Sequence, residues 1–275
     1  MRKSRLPAEI VRHYEAGAER GRLASGGGLL ELLRTQEIIK RHLPRRKADI
    51  LDVGGGPGVY SKWLAEMGHH VHLVDATPSH VRQARANART ESGELFAAEL
   101  GDARHLGWPQ HSFDVVLLFG PLYHLTKRKD RIRALREARR VLRPGGLLFA
   151  AAISRYASLV DGLKSKYVDD PVFQRILARD LKEGQHRNPH NNSKYFTTAF
   201  FHHPNELAHE VTESGFRLKE VYAVEGPGEI LMHDDLERRL KRRDVRQRIL
   251  GLIAAVETEP SLFGVSSHLL AVATR

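Results

Sequence analysis

Two carboxylates and a run of glycines are the part of this sequence that could do chemistry. The segment Ile50-Leu51-Asp52-Val53-Gly54-Gly55-Gly56-Pro57-Gly58 carries an apolar run straight into a turn with almost no side chains. Backbone without Cβ atoms lets a ligand approach main-chain groups closely. Asp52 precedes the glycines, and Asp75 ends the next apolar run, Val71–Asp75. Acidic strand ends beside a bare turn suit a ligand with a cationic or hydroxyl-rich part. A phosphate-binding loop closes on Gly-Lys-Ser/Thr, whereas Gly58 is followed by Val59 and Tyr60. The dinucleotide fingerprint G-x-G-x-x-G meets Val59 when started at Gly54 and Ser61 when started at Gly56, so it fails as well. What remains is acidic-x-G-x-G-x-G, met by Asp52, Gly54, Gly56 and Gly58. An acidic residue at its head repels phosphate and suits an ammonium group.

Such a turn needs an α/β scaffold, and strand and helix signals alternate from residue 50 onward. Ile50–Val53, Val71–Asp75, Leu95–Leu100, Phe113–Phe119 and Leu147–Ile153 read as strands. Val59–Met67, Ser79–Thr90 and roughly 128–142 read as helices between them. This alternation predicts a parallel sheet with helices on both faces. Phe113–Phe119 is nearly all apolar and is expected to be buried on both sides. Ahead of the core, helices are expected over 6–23, broken by Gly26-Gly27-Gly28, and over 29–43, ended by Pro44. After Ile153 the rhythm is lost until Pro204, which opens a helix ending at Ser214-Gly215. Phe216–Glu225 reads as a strand, Asp234–Glu257 as one long charged helix and His268–Thr274 as a last strand. One domain over 1–275 follows. It has a helical lid (1–47), a core (48–154), an irregular insertion (155–203) and a segment completing the sheet (204–275).

The composition sets bounds. At 41% hydrophobic and 28% charged, with no apolar run long enough to span a bilayer, the chain should fold as a globular, cytoplasmic protein without membrane contact. Met1-Arg2-Lys3-Ser4-Arg5 is basic, but no stretch of signal-peptide length follows it. Zero cysteines exclude disulfides, thiolate metal sites and a cysteine nucleophile. A net charge of +11 raises the question of a nucleic-acid partner. Residues 127–143 supply much of the excess, yet Ile132, Leu135 and Leu142 recur there at helical spacing, so the basic residues are expected mainly on the exposed face of a helix.

These motifs, in this order, resemble the class I S-adenosylmethionine-dependent methyltransferases. LDVGGGPG is similar to the family's first motif, HLVDATPSHVRQARANA to its second strand and helix, and GDARHL to its third-strand motif. FDVVLLFGPLYHL resembles the fourth, and REARRVLRPGGLLFAA the helix, turn and strand that follow. FGPLYHL and YEAGAERGRL further resemble a bacterial subgroup acting on small molecules. The resemblance covers roughly residues 48–155. It implies a Rossmann-like, doubly wound seven-stranded sheet, mostly parallel with an antiparallel last strand, carrying lid helices and a helical cap insertion.

It also implies a cofactor, S-adenosylmethionine, with S-adenosylhomocysteine as product. Asp75 is then expected to take both ribose hydroxyls, Ala76 to lie along the adenine, and Asp102 with the Ala103 backbone to meet the adenine amino group. Asp52 is assigned to the methionine ammonium, directly or through water. Gly54, Gly55, Gly56 and Gly58 are expected to pass beneath the cofactor, and Phe119 and Gly120 to lie beside its methionine part. Tyr14 is expected to cover the cofactor from the lid, and Arg34 is the candidate for its carboxylate.

Methyl transfer from a sulfonium is a direct displacement, so a base is needed only when the acceptor arrives protonated. Tyr123 and His124, after the fourth strand, are the catalytic candidates, His124 as base. The segment 155–203, with Tyr156, His186, His190, Tyr195, His202 and His203, is read as the acceptor-binding cap. No metal is expected, because adjacent histidines diverge and no cysteine or carboxylate cluster joins them. The leading reading is transfer of a methyl group to an O, N or S atom of a small-molecule acceptor. The alternative is an RNA or other macromolecular acceptor, against which the chain lacks an NPPY-like tetrad and a recognisable RNA-binding module. A non-catalytic binding protein and an NAD-dependent oxidoreductase rank lower, given the acidic residues and the failed fingerprint. Arsenite-type methylation lacks its cysteines.

Overall fold

The computed structural model describes residues 6–17, 19, 21–91, 93–190, 192–230 and 233–275. The basic residues 1–5 lie outside the described residues, as do Ala18 and Arg20 of the lid motif. Seven strands form one sheet: β1 (Asp49–Val53), β2 (His70–Asp75), β3 (Ala97–Leu100), β4 (Phe113–Leu118), β5 (Leu142–Ile153), β6 (Arg217–Ala223) and β7 (His268–Thr274). Their spatial order is β6-β7-β5-β4-β1-β2-β3. β1 pairs in parallel with β2 and β4, while β7 runs antiparallel to both β5 and β6. The order reverses between β1 and β4, and ligands of open α/β sheets bind at such a reversal, beyond the carboxyl ends of the strands.

The helices cover both faces. β4 is buried along its whole length. Its Val115 and Leu117 pack with Ile50, Leu64 and Ile38 on one side, and its Val116 and Leu118 with Leu135, Ala138 and Leu207 on the other. On the first side lie α2 (Gly26–His42), α3 (Val59–Glu66) and α4 (Pro78–Ala88). On the second lie α6 (Arg128–Val141) and α9 (Pro204–Glu213). A four-residue helix, α5 (Pro121–His124), follows β4. The insertion holds α7 (Ala157–Lys164) and α8 (Pro171–Glu183), the latter capped at its start by Asp170 and at its end by Gly184 in the left-handed region. Among the described residues no helix is long and apolar enough to cross a membrane.

Three sequence expectations change. The first lid helix, α1, spans only Ala8–Glu15, because Gly17 and Gly21 adopt positive φ beyond it. Gly26–Gly28 open α2 instead of separating two helices; a Cβ on Gly28 would come within 2.9 Å of the Arg22 carbonyl carbon. The single helix expected over 234–257 is two, α10 (His233–Lys241) and α11 (Arg243–Ala254), because Arg242 is extended. Packing explains the break. Leu236 and Leu240 of α10 and Ile249 and Ile253 of α11 share one cluster with Leu30, whereas a straight helix would set residues 240 and 253 about 20 Å apart.

Charge inside the molecule is paired. Arg131 of α6 was expected on an exposed face, yet it is buried. Its Nη2 lies 2.6 Å from Glu210 Oε1 of α9, and its guanidinium sits 3.7 Å from the Phe200 ring centroid. Burial alone would raise the Glu210 carboxyl; its bonds from His202 and Arg131 more than offset this and hold it at about 2. Arg131→Ala strands that carboxylate, so it is expected to lower stability by about 3–5 kcal/mol. In urea unfolding this appears as a lower midpoint at unchanged slope, and a double Arg131→Met, Glu210→Leu variant should recover most of the loss.

Candidate active site

The strand tips converge because the turn after β1 is bare. Gly54 has φ 78°, its N–H donates to Val74 O at 2.7 Å, and a Cβ there would lie 2.6 Å from Pro121 Cδ. Gly54, Gly55, Gly56, Asp75, Ala76, Asp102, Ala103, Phe119 and Gly120 all line one cavity of about 300 Å³. Ten of the expected residues, these nine and Tyr14 of the lid, are thus brought together with the catalytic candidates Tyr123 and His124.

Asp75 is fixed by three donors. Its Oδ1 accepts from Thr77 N at 2.7 Å and lies 3.3 Å from His80 Nδ1, and its Oδ2 accepts from Gly56 N at 3.0 Å. His80, in the first turn of α4, is buried and lines the cavity, and its Nε2 has no partner among the described residues. Asp102 is held by Arg104, whose Nη2 lies 2.7 Å from Oδ2 and whose N lies 2.9 Å from Oδ1. Burial raises that carboxyl, and the Arg104 bonds outweigh it, leaving it below its ordinary value.

Three assigned residues do not reach the cavity. Asp52 is fully buried beneath the glycine turn; a Cβ on Gly55 would come within 2.5 Å of its Oδ2. That oxygen accepts from Ser61 Oγ at 2.7 Å, Oδ1 has no partner among the described residues, and burial lifts the carboxyl to about 7. Direct contact between Asp52 and a ligand is therefore not available here. Gly58 serves packing: it opens α3 at φ 87°, where a Cβ would come 2.7 Å from Phe96 Cζ. Arg34 is buried away from the cavity, bonded to Glu37 and Glu257 and 3.4 Å from Val224 O, so it staples α2 to the end of the chain. A second guanidinium, Arg41, joins Glu257 through Nη2 at 2.8 Å.

On the lid side, the Tyr14 hydroxyl hydrogen-bonds His124 Nε2. Burial lowers the His124 imidazole to about 4, so it is neutral, and a weak base, near pH 7. Burial keeps the Tyr123 phenol well above its ordinary value, and its hydroxyl has no partner among the described residues. No residue of 155–203, the segment read as the acceptor-binding cap, lines the cavity. Its polar groups are used internally. His186 Nδ1 lies 2.7 Å from Asp180 Oδ2, His202 Nε2 lies 3.3 Å from Glu210 Oε2, and Tyr195 bonds Asp170. His203 diverges from His202 toward Tyr156. Phe196 packs against the cavity's wall, its ring stacked 6.0 Å from that of His124.

The remaining cavity wall is charged and was not foreseen. Arg22, Glu31 and His268 face the cavity, and Glu225 stands behind them. Arg22 holds Glu31 through Nη1 at 2.5 Å and Nη2 at 3.2 Å. His268 Nδ1 lies 2.6 Å from Glu225 Oε1 and 3.7 Å from Glu31 Oε2. Burial alone would lower the His268 imidazole, but the two carboxylates carry it up to about 9. Glu31, Glu225 and His268 are close enough to converge on a cation, yet a protonated ring and the Arg22 guanidinium already balance the two carboxylates. Only His80 carried a sequence signal, its position five residues after Asp75 in the helix that follows β2. The rest are joined by tertiary contacts alone.

Residues 51–150 match a family model described as a methyltransferase domain. The ubiquinone/menaquinone biosynthesis C-methyltransferase UbiE of Ralstonia pickettii (strain 12J) is 32% identical over 148 residues, covering 48% of this chain and 59% of the relative. Methyltransferase GfsG of Streptomyces halstedii is 36% identical over 129 residues, covering 46% and 45%. The chain thus spans about half the length of these relatives. An S-adenosylmethionine dependent methyltransferase from Mesorhizobium loti superposes with TM-score 0.57 at 20% identity, over 90% of this chain and all (100%) of that one. One from Methanosarcina mazei gives 0.56 at 19%, over 86% and 96%. At these identities the likeness of the solved structures is one of fold.

The raised Asp52 carboxyl yields a pH prediction. The folded state binds a proton that the unfolded chain releases above about pH 4. The stability this contributes is present below that pH and is lost as pH rises through about 7. Asp52→Asn should therefore gain stability relative to the parent, by a few kcal/mol at most, between about pH 4 and 8. Paired thermal melts across that range check it, and parallel curves would count against the assignment.

Proposed function

Starting from a chain whose residues 51–150 match a family model described as a methyltransferase domain, we propose that it is a class I S-adenosylmethionine-dependent methyltransferase that moves a methyl group from S-adenosylmethionine to a small-molecule acceptor. The observation that carries this reading is the convergence of the bare turn at Gly54–Gly56 with Asp75 and Asp102 in one cavity. The residues present fit the cofactor. A side-chain-free cradle and acidic groups at successive strand ends, Asp75 and Asp102, suit a hydroxyl-rich nucleoside. When bound, the cofactor supplies an activated methyl group on a sulfonium sulfur.

The chain's own residues then bind, orient and exclude water. Asp102 and the Ala103 backbone are assigned to the adenine edge. Ribose recognition is shared. Asp75 Oδ1 already has two donors, leaving a free lone pair on Oδ2. His80 Nδ1–H faces an acceptor-only carboxylate, which makes its orphaned Nε2 the acceptor for the second hydroxyl. Tyr14 closes the lid side by holding His124, and it does so without preparing a base. The choice of a small acceptor is supported by the pairing of part of the basic face within the chain. Arg128 pairs with Glu213, Arg140 with Glu137, Arg104 with Asp102 and Asp130, and Arg143 with Asp49 and Asp114. The cavity, moreover, is rimmed by lid residues such as Leu6 and Leu23. The C-methyltransferase and O-methyltransferase names among the relatives favour carbon or oxygen as the methylated atom.

Calorimetry should show binding of S-adenosylhomocysteine and none of NAD. Asp75→Ala is expected to weaken that binding at least tenfold; an unchanged affinity would sink the ribose assignment. His80→Phe should cost about tenfold, the value of one hydrogen bond of roughly 1–1.5 kcal/mol, and should cost nothing further with whichever of the 2′- and 3′-deoxy analogues lacks its hydroxyl. With tritiated cofactor, label should enter a small-metabolite extract, and label entering total RNA alone would overturn the choice of acceptor.

A further inference from the structure

The cluster at the start of β7 is more elaborate than a structural staple requires. Glu225 is almost fully buried, and its Oε2 is fixed by Ser266 Oγ at 2.8 Å and by the His268 backbone N–H at 3.0 Å. Its Oε1 faces His268 Nδ1 at 2.6 Å. Glu31 faces the same nitrogen and is gripped by Arg22, which Glu19 holds in turn at 3.0 Å. Behind Glu225 lies Glu229, paired with Lys164 at 2.9 Å. Taking charges out of water costs several kcal/mol per ion even after relaxation. An apolar residue at 268 would continue the lining that Leu270 provides from the same strand at no such cost.

The outcome of this construction is one fixed donor. His268 Nδ1 is committed to carboxylates, which accept only, so it carries a proton. Nε2 has no partner among the described residues, and the ring lines the cavity with Tyr123, Ala151 and Leu270. The candidate base on the other side, His124, is tied to Tyr14 and is too weak to take a proton from a hydroxyl at neutral pH. On this wall of the cavity the fixed groups are therefore donors able to stabilise an acceptor's anion, rather than a base that removes its proton.

We infer that the His268 imidazolium donates its Nε2–H to the oxygen of the methyl acceptor, with the Tyr123 hydroxyl as second donor, and that the acceptor is a phenol or enol bound as its oxyanion. This rests on the methyltransferase reading above. The acceptor leaves its hydroxyl proton in solvent on binding. An electron pair on its oxygen, or on the carbon conjugated to it, then forms the new bond to the methyl carbon, and the S–CH3 pair returns to sulfur. Charge balances: an anion and a sulfonium become two neutral groups. Because the charge on His268 is held up to about 9 by Glu31 and Glu225 against burial and Arg22, anion binding should persist through neutral pH and fall as pH rises through that value.

4-Nitrophenol, whose phenolate absorbs in the visible, is the probe. Titrated into the protein saturated with S-adenosylhomocysteine, it should bind with its own pKa lowered by about one unit, a tenfold gain in ionised fraction. His268→Gln should return the bound probe's pKa to its free value or abolish its binding. Glu225→Gln, which keeps the ring but loosens its proton, should reduce the shift. Retained affinity for S-adenosylhomocysteine shows that each variant is folded. A bound probe with unshifted ionisation, a shift indifferent to both substitutions, or no saturable binding to the loaded parent protein would overturn the inference. Failure of the parent to bind S-adenosylhomocysteine would instead overturn the methyltransferase reading itself.

Discussion

The close approach of Gly54 to the end of β4 is the constraint on which the rest of the structure depends. Gly54 N–H bonds Val74 O, and Phe119 N–H bonds Val53 O at 3.0 Å, so one turn ties together the tips of β2, β1 and β4. Any side chain at Gly54 would collide with the Phe119 carbonyl and Pro121. The strand ends can meet only because that residue has no Cβ and tolerates positive φ. Asp75 is then near enough to accept from Gly56 N, and Tyr123 and His124 start their short helix over the same opening.

Around this bare floor the cavity divides by electrostatics. On the glycine side, polar groups are neutral or singly acidic and largely satisfied by backbone N–H groups: Asp75 by Gly56 and Thr77, Asp102 partly by Arg104. On the β7 side, charges of both signs are interlocked across Arg22, Glu31, Glu225 and His268. Tyr123 lies between the two regions. A water-excluding site strengthens every interaction of this kind, because fewer solvent dipoles compete with it. The buried ion pairs outside the cavity, Arg131 with Glu210 and Arg34 with Glu257, do a different job: each crosses between elements far apart in the chain.

What was legible in the sequence follows from the range of the forces involved. Apolar runs, the acidic-led glycine turn and Pro204 as a helix start are local signals, and they located six of the seven strands within a residue or two at most points. β5 begins five residues earlier than expected, because Leu142 pairs with Phe113 before the Pro144-Gly145-Gly146 stretch. Cavity residues at strand ends were legible for the same reason. Arg34 and Glu257 are 223 residues apart in sequence, so nothing local told that this arginine had a buried partner. Glu31, Glu225 and His268 come from α2, a loop and β7, and only the folded sheet brings them within reach of one another. The histidines and tyrosines of the insertion look like site residues by type. In three dimensions they satisfy Asp180, Glu210 and Asp170.

The aromatic cluster over the lid carries a consequence for how this architecture diversifies. Phe196 of the insertion contacts His124, Tyr123 and His13, and Tyr14 of the lid contacts His124 and His80. One residue from a late insertion is thus wedged against a helix from the start of the chain, with the end of β4 between them. The two peripheral segments cannot change independently. A graft of the insertion from another protein of this architecture would have to bring its own counterpart of α1, since a new loop that removes Phe196 takes away the surface on which the lid rests. Lid and insertion therefore form one exchangeable module, although the core, residues 48–154, separates them in the chain.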